Sequence, residues 1–280
     1  IERLPESLGD MVNMRTLLFP KGLKFLPETI GNLKKLSYLD LKRTEIERIP
    51  ESVGQMSQLA SITFPDTLCE LPESIGGLQG VQEMDLSKTK IRELPKGIGS
   101  LTGLIRLVFP PGLEVLPDTI GGLKRLCGLL LEDTRLKELP ESIGELEQIE
   151  RLTVPGCLRS LPHSIGRLRR ITELDLRRTE MPVLPEEICG LEGLESLDLP
   201  AGLEKLPGNI GQLTKIECLD LRKTKVACLP ESIGLMSSLK KIQVAPALEQ
   251  LPEGIGRLKK IDQLDLSNTQ IRQLPNDISE

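Results

Sequence analysis

The chain has 280 residues, of which 39% are hydrophobic but only 2% aromatic, with no tryptophan and one tyrosine. Its core must therefore consist of leucine, isoleucine and valine. The net charge of −5, from 36 basic and 41 acidic residues, gives no general attraction to nucleic acid or to anionic membranes. No apolar run approaches the length of a membrane span.

One sequence block repeats along the chain. Its Leu-Pro dipeptide, which is Ile-Pro once, recurs thirteen times at spacings that alternate between 22 and 23 residues. The repeating unit is thus a 45-residue pair of coils, present six times in residues 1–270, and a seventh copy begins at Ile271. A fixed short period is typical of a solenoid, whose usual product is a long binding surface. We predict one domain over residues 1–280 that lacks caps and is a fragment of a longer chain.

Each coil opens with a turn after the Leu-Pro dipeptide, as in Pro72-Glu-Ser-Ile-Gly76. The pattern predicts one helical or 3₁₀ turn with proline at its first position. The glycine is expected to close the turn at positive φ. Eleven of the thirteen copies keep this glycine, and Cys189 and Ser279 replace it in the other two.

A strand is predicted next in each coil, because its last three positions alternate between apolar and polar residues. The longer coils place these strands at Leu36–Leu41, Val81–Leu86, Leu126–Leu131, Ile171–Leu176, Ile216–Leu221 and Ile261–Leu266. The shorter coils place them at Met14–Phe19, Leu59–Phe64, Leu104–Phe109, Ile149–Val154, Leu194–Leu199 and Leu239–Val244. Stacked coils would set the strands side by side in one parallel sheet.

The strands of the longer coils are followed by two mostly charged residues and a threonine: Thr44, Thr89, Thr134, Thr179, Thr224 and Thr269. The shorter coils lack this threonine and carry proline after the strand, which ends it by removing a backbone donor. The phrase LPESIGxLxxLxxLDLxxTxIxxLP resembles intracellular leucine-rich repeats, of the Ras-binding scaffold type and of plant immune receptors. Most leucine-rich repeats carry asparagine where this chain has threonine, whereas the plant receptors often carry threonine. The threonine hydroxyl could replace one hydrogen bond of that asparagine.

The resemblance implies an α/β leucine-rich-repeat solenoid: a right-handed curved coil with a parallel sheet on its concave face and short helical or 3₁₀ turns outside. It also implies a non-catalytic module that binds another protein on that face, as in cytoplasmic signalling scaffolds or the sensor domains of innate immune receptors. No cofactor, nucleic acid or membrane partner is expected. The alternative is a structural solenoid that self-associates end to end through uncapped terminal coils.

The candidate partner-binding residues lie on the predicted concave face. An aspartate row with adjacent basic residues suggests either a charged partner surface or local Asp–Arg compensation for solubility. Residues that break the repeat are the stronger candidates, since the repeat itself does not require them, and tyrosine and arginine often anchor interfaces. The predicted site comprises Tyr38, Asp40, Asp85, Arg106, Leu130, Glu132, Arg151, Asp175, Arg177, Asp220 and Arg222.

Catalytic and metal sites find little support in the sequence. His163 is the only histidine and is expected on an exposed outer turn, without a nucleophile beside it. The six cysteines form no CxxC pair and scatter around the coil, which favours reduced thiols in an intracellular protein. Aspartates on alternate strands would lie roughly 10 Å apart, too far to share a calcium ion.

Overall fold

The computed structural model describes residues 1–275. It contains two compact units, Ile1–Leu136 and Lys137–Glu280. Only the first part of the predicted seventh copy falls within this description. Residues 276–280, including Ser279, lie outside the described residues.

The strands are three residues long and lie inside the predicted six-residue segments. In the first unit they are β1 (Tyr38–Asp40), β2 (Ser61–Thr63), β3 (Glu83–Asp85), β4 (Arg106–Val108) and β5 (Gly128–Leu130). In the second unit they are β6 (Arg151–Thr153), β7 (Glu173–Asp175), β8 (Ser196–Asp198), β9 (Cys218–Asp220), β10 (Lys241–Gln243) and β11 (Gln263–Asp265). Within the units, β1 pairs with β2, β3 with β4, β6 with β7, β7 with β8, and β10 with β9 and β11, all in parallel.

The strand predicted at Met14–Phe19 does not form. Leu17 and Phe19 in this segment are only half-buried, whereas Ile62 and Phe64, at the same positions of a later coil, are buried. The missing strand thus coincides with incomplete burial of its apolar side chains, although β11 forms with a half-buried middle residue, Leu264.

The core lies between the strands and the outer turns and consists mainly of leucine and isoleucine. The middle residue of each strand from β1 to β10 points into it. The exposed fractions of Leu174 and Leu219 are 1% and 0%, which confirms the predicted strand phase. The first and third residues of each strand face away from the core, as the alternation of a strand requires.

Every outer turn between residues 1 and 275 is a 3₁₀ helix. In the first unit these helices are η1 (Glu6–Asp10), η2 (Glu28–Asn32), η3 (Glu51–Gln55), η4 (Glu73–Gly77), η5 (Lys96–Ser100) and η6 (Ile120–Gly122). In the second unit they are η7 (Glu141–Glu145), η8 (His163–Arg167), η9 (Glu186–Gly190), η10 (Ile210–Gln212), η11 (Glu231–Leu235) and η12 (Glu253–Arg257). Proline lies one residue earlier than predicted: Pro27 precedes η2 in an extended conformation, and its carbonyl accepts the Ile30 N–H at 3.1 Å.

The repeated glycine of the outer turns does not adopt positive φ, so this part of the prediction is wrong. Among the described glycines only Gly22, at φ +78°, lies in the left-handed region. The repeated glycine is instead required by the close approach of the next coil. A Cβ at Gly99 would lie 2.0 Å from the Thr119 carbonyl oxygen, far inside van der Waals contact.

The threonine of the longer coils supplies the predicted hydrogen bond. In the buried set, each hydroxyl donates to the carbonyl three residues earlier, for example from Thr44 to Leu41 at 2.7 Å and from Thr224 to Leu221 at 2.8 Å. The backbone N–H of Thr44 donates to the same Leu41 carbonyl at 3.0 Å. Together the two bonds satisfy the Leu41 carbonyl oxygen, which lies directly after β1 and is shielded from water.

Candidate protein-binding surface

In each unit, the first and third residues of the strands, with the residues that follow them, form an exposed surface that we call the sheet face. The eleven predicted site residues all lie on it or at its edge, but in separate units of the chain. The first unit carries Tyr38, Asp40, Asp85, Arg106, Leu130 and Glu132. The second carries Arg151, Asp175, Arg177, Asp220 and Arg222.

The aspartates of the sheet face have a structural role that the sequence reading did not identify. The Oδ1 atom of each accepts the backbone N–H two residues on: for Asp40 from Lys42 at 3.1 Å, and for Asp85 from Ser87 at 2.9 Å. Asp175, Asp220 and Asp265 make the same bond at 2.9–3.0 Å. Aspartate commonly closes turns in this way. The aspartates therefore hold the chain reversals that follow β1, β3, β7, β9 and β11.

Two of the aspartates also pair with the arginine two residues later. Arg177 donates from Nε and Nη2 to the two carboxylate oxygens of Asp175 at 3.0 and 2.7 Å, and Arg222 binds Asp220 with the same distances. These bidentate hydrogen bonds lower the pKa of both carboxyl groups. At these coils the structure shows the local Asp–Arg compensation that the sequence suggested, and exposed pairs of this kind contribute little stability.

Arg106 and Arg151 begin β4 and β6, and both are exposed. Arg151 Nη2 lies 2.7 Å from an oxygen of Glu173, its register partner in β7. Arg106 is aligned with Glu83 in the parallel pairing of β3 and β4. Both arginines thus present guanidinium groups on the sheet face, where they could pair with a carboxylate of a partner.

The coil that contains β5 departs from the structural pattern of the sheet face. Leu130 takes the place of the turn-closing aspartate and is 48% exposed. Two residues earlier, Gly128 would meet no atom within 4 Å if it carried a Cβ. Neither residue is therefore dictated by packing, and the exposed apolar side chain beside an open position provides a place for a partner side chain.

Tyr38 is the other exposed apolar group of the sheet face. It begins β1, its exposed fraction is 45%, and its register partner in β2 is the small residue Ser61. Tyrosine offers a large contact area with a polar tip at low cost in conformational entropy. The sequence could identify Tyr38 because it is the single tyrosine of the chain.

The outer turns contain hydrogen bonds between coils that the sequence reading missed. The carboxylate of Glu51 accepts the backbone N–H groups of Glu73 at 3.1 Å and of Ser74 at 2.9 Å, and the Ser74 hydroxyl donates to the Glu51 carbonyl at 2.5 Å. Similar double contacts start from Glu6, Glu73, Glu141, Glu186 and Glu231. Each of these glutamates links its own turn to the next one. The Ser74 N–H is the main cause of the lowered pKa of Glu51.

His163 lies on an outer turn, as predicted, with its side chain 82% exposed. Its Nδ1 atom is 2.9 Å from Oε1 of Glu187, and this hydrogen bond raises the pKa of the imidazole. Its backbone N–H donates to Glu141 at 3.0 Å. The surroundings of His163 are thus those of a link between turns.

The cysteines are reduced in the structure, with Cys189 buried and the other five exposed. Burial raises the pKa of the Cys189 thiol to about 12, so this group is a poor nucleophile at neutral pH. Within residues 1–275, the histidine, cysteine and acidic side chains form no group of three suited to a metal ion. In the same range, no helix has the length and hydropathy needed to cross a membrane.

Comparisons with known proteins agree with this architecture. Residues 165–250 match the family described as a leucine-rich repeat region. A leucine-rich repeat protein of Leptospira interrogans is similar over 99% of this chain and 72% of its own, with 29% identity and a TM-score of 0.68. The leucine-rich repeat domain of the type III effector XopL is similar over 87% and 90%, with 25% identity and a TM-score of 0.60. No curated protein sequence matches the chain.

Proposed function

Because the chain is a leucine-rich repeat protein, we propose that it is a non-catalytic module that binds another protein on its sheet face. The observation that carries this proposal is the exposure of Tyr38 and Leu130 on strands whose middle residues are fully buried. The fold uses the middle residues for its core and the aspartates for its turns. Tyr38 and Leu130 serve neither purpose, and apolar groups of this kind commonly anchor protein interfaces.

The finer parts of the proposal come from the sequence. We place the module in the cytoplasm, as a signalling scaffold or a sensor of innate immunity, and we treat residues 1–280 as one domain. Leucine-rich repeat proteins differ widely in their partners, because binding depends on the exposed side chains and not on the fold of the repeat. The two arginines Arg106 and Arg151 would contribute charge-assisted hydrogen bonds to acidic groups of the partner.

The proposal is tested by photo-crosslinking in cells that naturally express the protein. A benzoylphenylalanine replaces Ser61 on the sheet face, and in a matched variant it replaces Asp118, an exposed residue before η6. Both sites are in the first unit and accessible. We expect a discrete protein adduct from position 61 and none from position 118. Adducts of equal yield from both positions, or from position 118 alone, would refute the sheet face as the binding surface.

End-to-end self-association is the second candidate. Met14 and Leu17 in the first unit, and Leu264 and Leu266 in the second, are only half-buried, and Leu18 is 81% exposed. Stacking of one copy on another would cover these side chains. Sedimentation velocity across a hundredfold range of concentration distinguishes the two candidates: a constant monomer supports the binding module, and growing oligomers that polar substitutions at Met14 and Leu264 abolish support self-association.

A further inference from the structure

The segments that lead from the outer turns into β1 to β5 form a second surface of the first unit. They are residues 32–37, 55–60, 77–82, 100–105 and 122–127. Neighbouring segments lie side by side: the Ala60 N–H donates to the Ser37 carbonyl at 2.9 Å, and the Ile105 N–H donates to the Gln82 carbonyl at 2.8 Å. We call the exposed and half-buried side chains of these five segments the exit face.

The exit face carries charges of one sign only. Its five segments contain no aspartate and no glutamate. Their basic residues are Lys34 and Lys35 in the first segment and Lys124 and Arg125 in the last. The three segments between them contain no charged residue at all. The exit face therefore has an uncharged centre that lies between two basic pairs.

The fold does not require an uncharged centre at these positions. In the second unit every corresponding segment carries at least one charged residue. Those segments are residues 145–150, 167–172, 190–195, 212–217, 235–240 and 257–262. They connect the same kinds of outer turn and strand, so the coil accepts charge there. Depletion of charged residues is typical of the central part of a protein interface.

The centre of the exit face offers hydrogen-bonding groups and one apolar side chain. Gln55, Ser57 and Gln58 are exposed, and amides and hydroxyls both donate and accept hydrogen bonds. Ile105 is half-buried, whereas the other four segments carry serine, alanine, glutamine and cysteine at its position. A Cβ at Gly103 would meet the next coil at 3.4 Å, an ordinary contact, so packing does not require this glycine.

The distance between the two basic pairs restricts the kind of partner. They lie four coils apart, which is roughly 20 Å at the spacing of parallel strands, and about six residues of an extended polypeptide span this distance. A second copy of the chain does not fit, because a two-fold axis through the centre would bring basic pairs of the two copies together. Nucleic acid does not fit, because its closely spaced charges would mostly face the uncharged centre.

We propose that the exit face binds an extended segment of a partner protein, which runs along the stack of coils with uncharged residues over the centre and acidic residues against both basic pairs. The inference goes beyond the proposed function, which concerns the sheet face. At one of the basic pairs, Lys35 Nζ donates to Oδ1 of Asn13 at 2.6 Å. A carboxylate of the partner would replace this bond to a neutral amide by a stronger, charge-assisted one.

The probes are two pools of fluorescent peptides, titrated with the full chain and followed by anisotropy. In the spaced pool, two Glu-Glu pairs flank four positions drawn from serine, threonine, glutamine, glycine and isoleucine, so that the pairs lie six residues apart. In the contiguous pool, the same residues place all four glutamates together at the centre. The titrations are made at 0.1 M salt, where charges are screened beyond about 10 Å. We expect the spaced pool to bind at least fivefold more tightly.

The test variant is Lys34→Glu with Arg125→Glu. The control with the same change of charge is Lys90→Glu with Arg92→Glu, two exposed residues between β3 and η5. We expect the test variant to bind the spaced pool at least tenfold more weakly and the control to bind it within twofold of the wild type. Gln58→Glu, which adds a charge to the centre, should weaken binding at least threefold. If circular dichroism shows that the test variant is unfolded, Lys34→Gln with Arg125→Gln replaces it.

Several results would overturn the inference. Absence of binding, or equal binding of the two pools, would show that the spacing of the basic pairs does not select a partner. An equal loss in the control variant would show that the overall charge governs binding. Heparin that binds as tightly as the spaced pool, and depends equally on Lys34 and Arg125, would make the exit face a general polyanion surface. A dimer that Gln58→Glu abolishes would assign the exit face to a second copy of the chain.

Discussion

The glycine of the outer turns provides a sharp test of how the coils stack. In the Gly99→Ala variant the new methyl group would lie 2.0 Å from the carbonyl oxygen of Thr119 and 2.7 Å from its Cβ. Ordinary contacts begin near 3.4 Å, so η5 and the turn at Thr119 would have to separate by more than an ångström. The Gly99 backbone and the Thr119 carbonyl both belong to packed coils. Overpacking of this kind lowers the free energy of unfolding by about 3 kcal/mol.

The matched control for Gly99→Ala is the same substitution at Gly128, where a Cβ meets nothing within 4 Å. There we expect a neutral change or a gain of about 0.5 kcal/mol, because alanine restricts the unfolded chain. Urea unfolding followed by circular dichroism measures both, since the chain has no tryptophan. The Gly99→Asn variant distinguishes two explanations for this glycine, which are the close approach of the next coil and a positive φ. If asparagine is tolerated better than alanine, backbone conformation and not coil contact explains the glycine, and the reasoning fails.

Three further changes test the core, the loop and the outer turn. Leu174→Ala should cost about 2–5 kcal/mol in urea unfolding, because the side chain is buried, and a cost below about 0.5 would contradict the strand phase. Thr134→Val should cost about 1 kcal/mol by leaving the Leu131 carbonyl without the hydroxyl that donates to it at 2.7 Å, whereas Thr134→Ser should retain most of the stability. Glu51→Gln should destabilise the protein at neutral pH. Since the pKa of Glu51 is lowered below 4.5 in the folded state, the difference from wild type should shrink as pH falls through that folded pKa, and a difference that is constant down to pH 2 would contradict a role for the carboxylate.

The parts of this structure that depend on periodicity along the chain could be predicted from the sequence. The alternation of apolar residues around Leu174 and Leu219 specifies which side chains enter the core, and the threonine after each longer strand indicates its hydrogen bond. These features are local: each involves residues a few positions apart, whose relation is visible in one coil.

The parts that depend on contacts between coils could not be predicted in the same way. Gly99 contacts Thr119, 20 positions later, and Glu51 contacts Glu73, 22 positions later. Only the distance between stacked coils shows that position 99 must lack a side chain and that the Glu51 carboxylate can reach two N–H groups. The aspartate row was predicted as a partner surface or solubility device, because an aspartate that closes its own turn has the same spacing as one that faces a ligand. Departures from the repeat, such as Leu130, remain the better sequence signal for a binding site.

The central claim is that the sheet face binds the partner. The direct measurement uses the partner protein that is crosslinked from position 61, once it has been isolated. Its affinity is measured for two charge-reversed variants of the chain. One is Arg106→Glu with Arg151→Glu on the sheet face, and the other is Lys90→Glu with Arg92→Glu on the return segments, which lead from the strands to the outer turns. Surface plasmon resonance should show at least tenfold weaker binding, or about 1.4 kcal/mol, for the sheet-face variant and a change below twofold for the other. Equal losses in the two variants, or a larger loss in the return-segment variant, would contradict the claim.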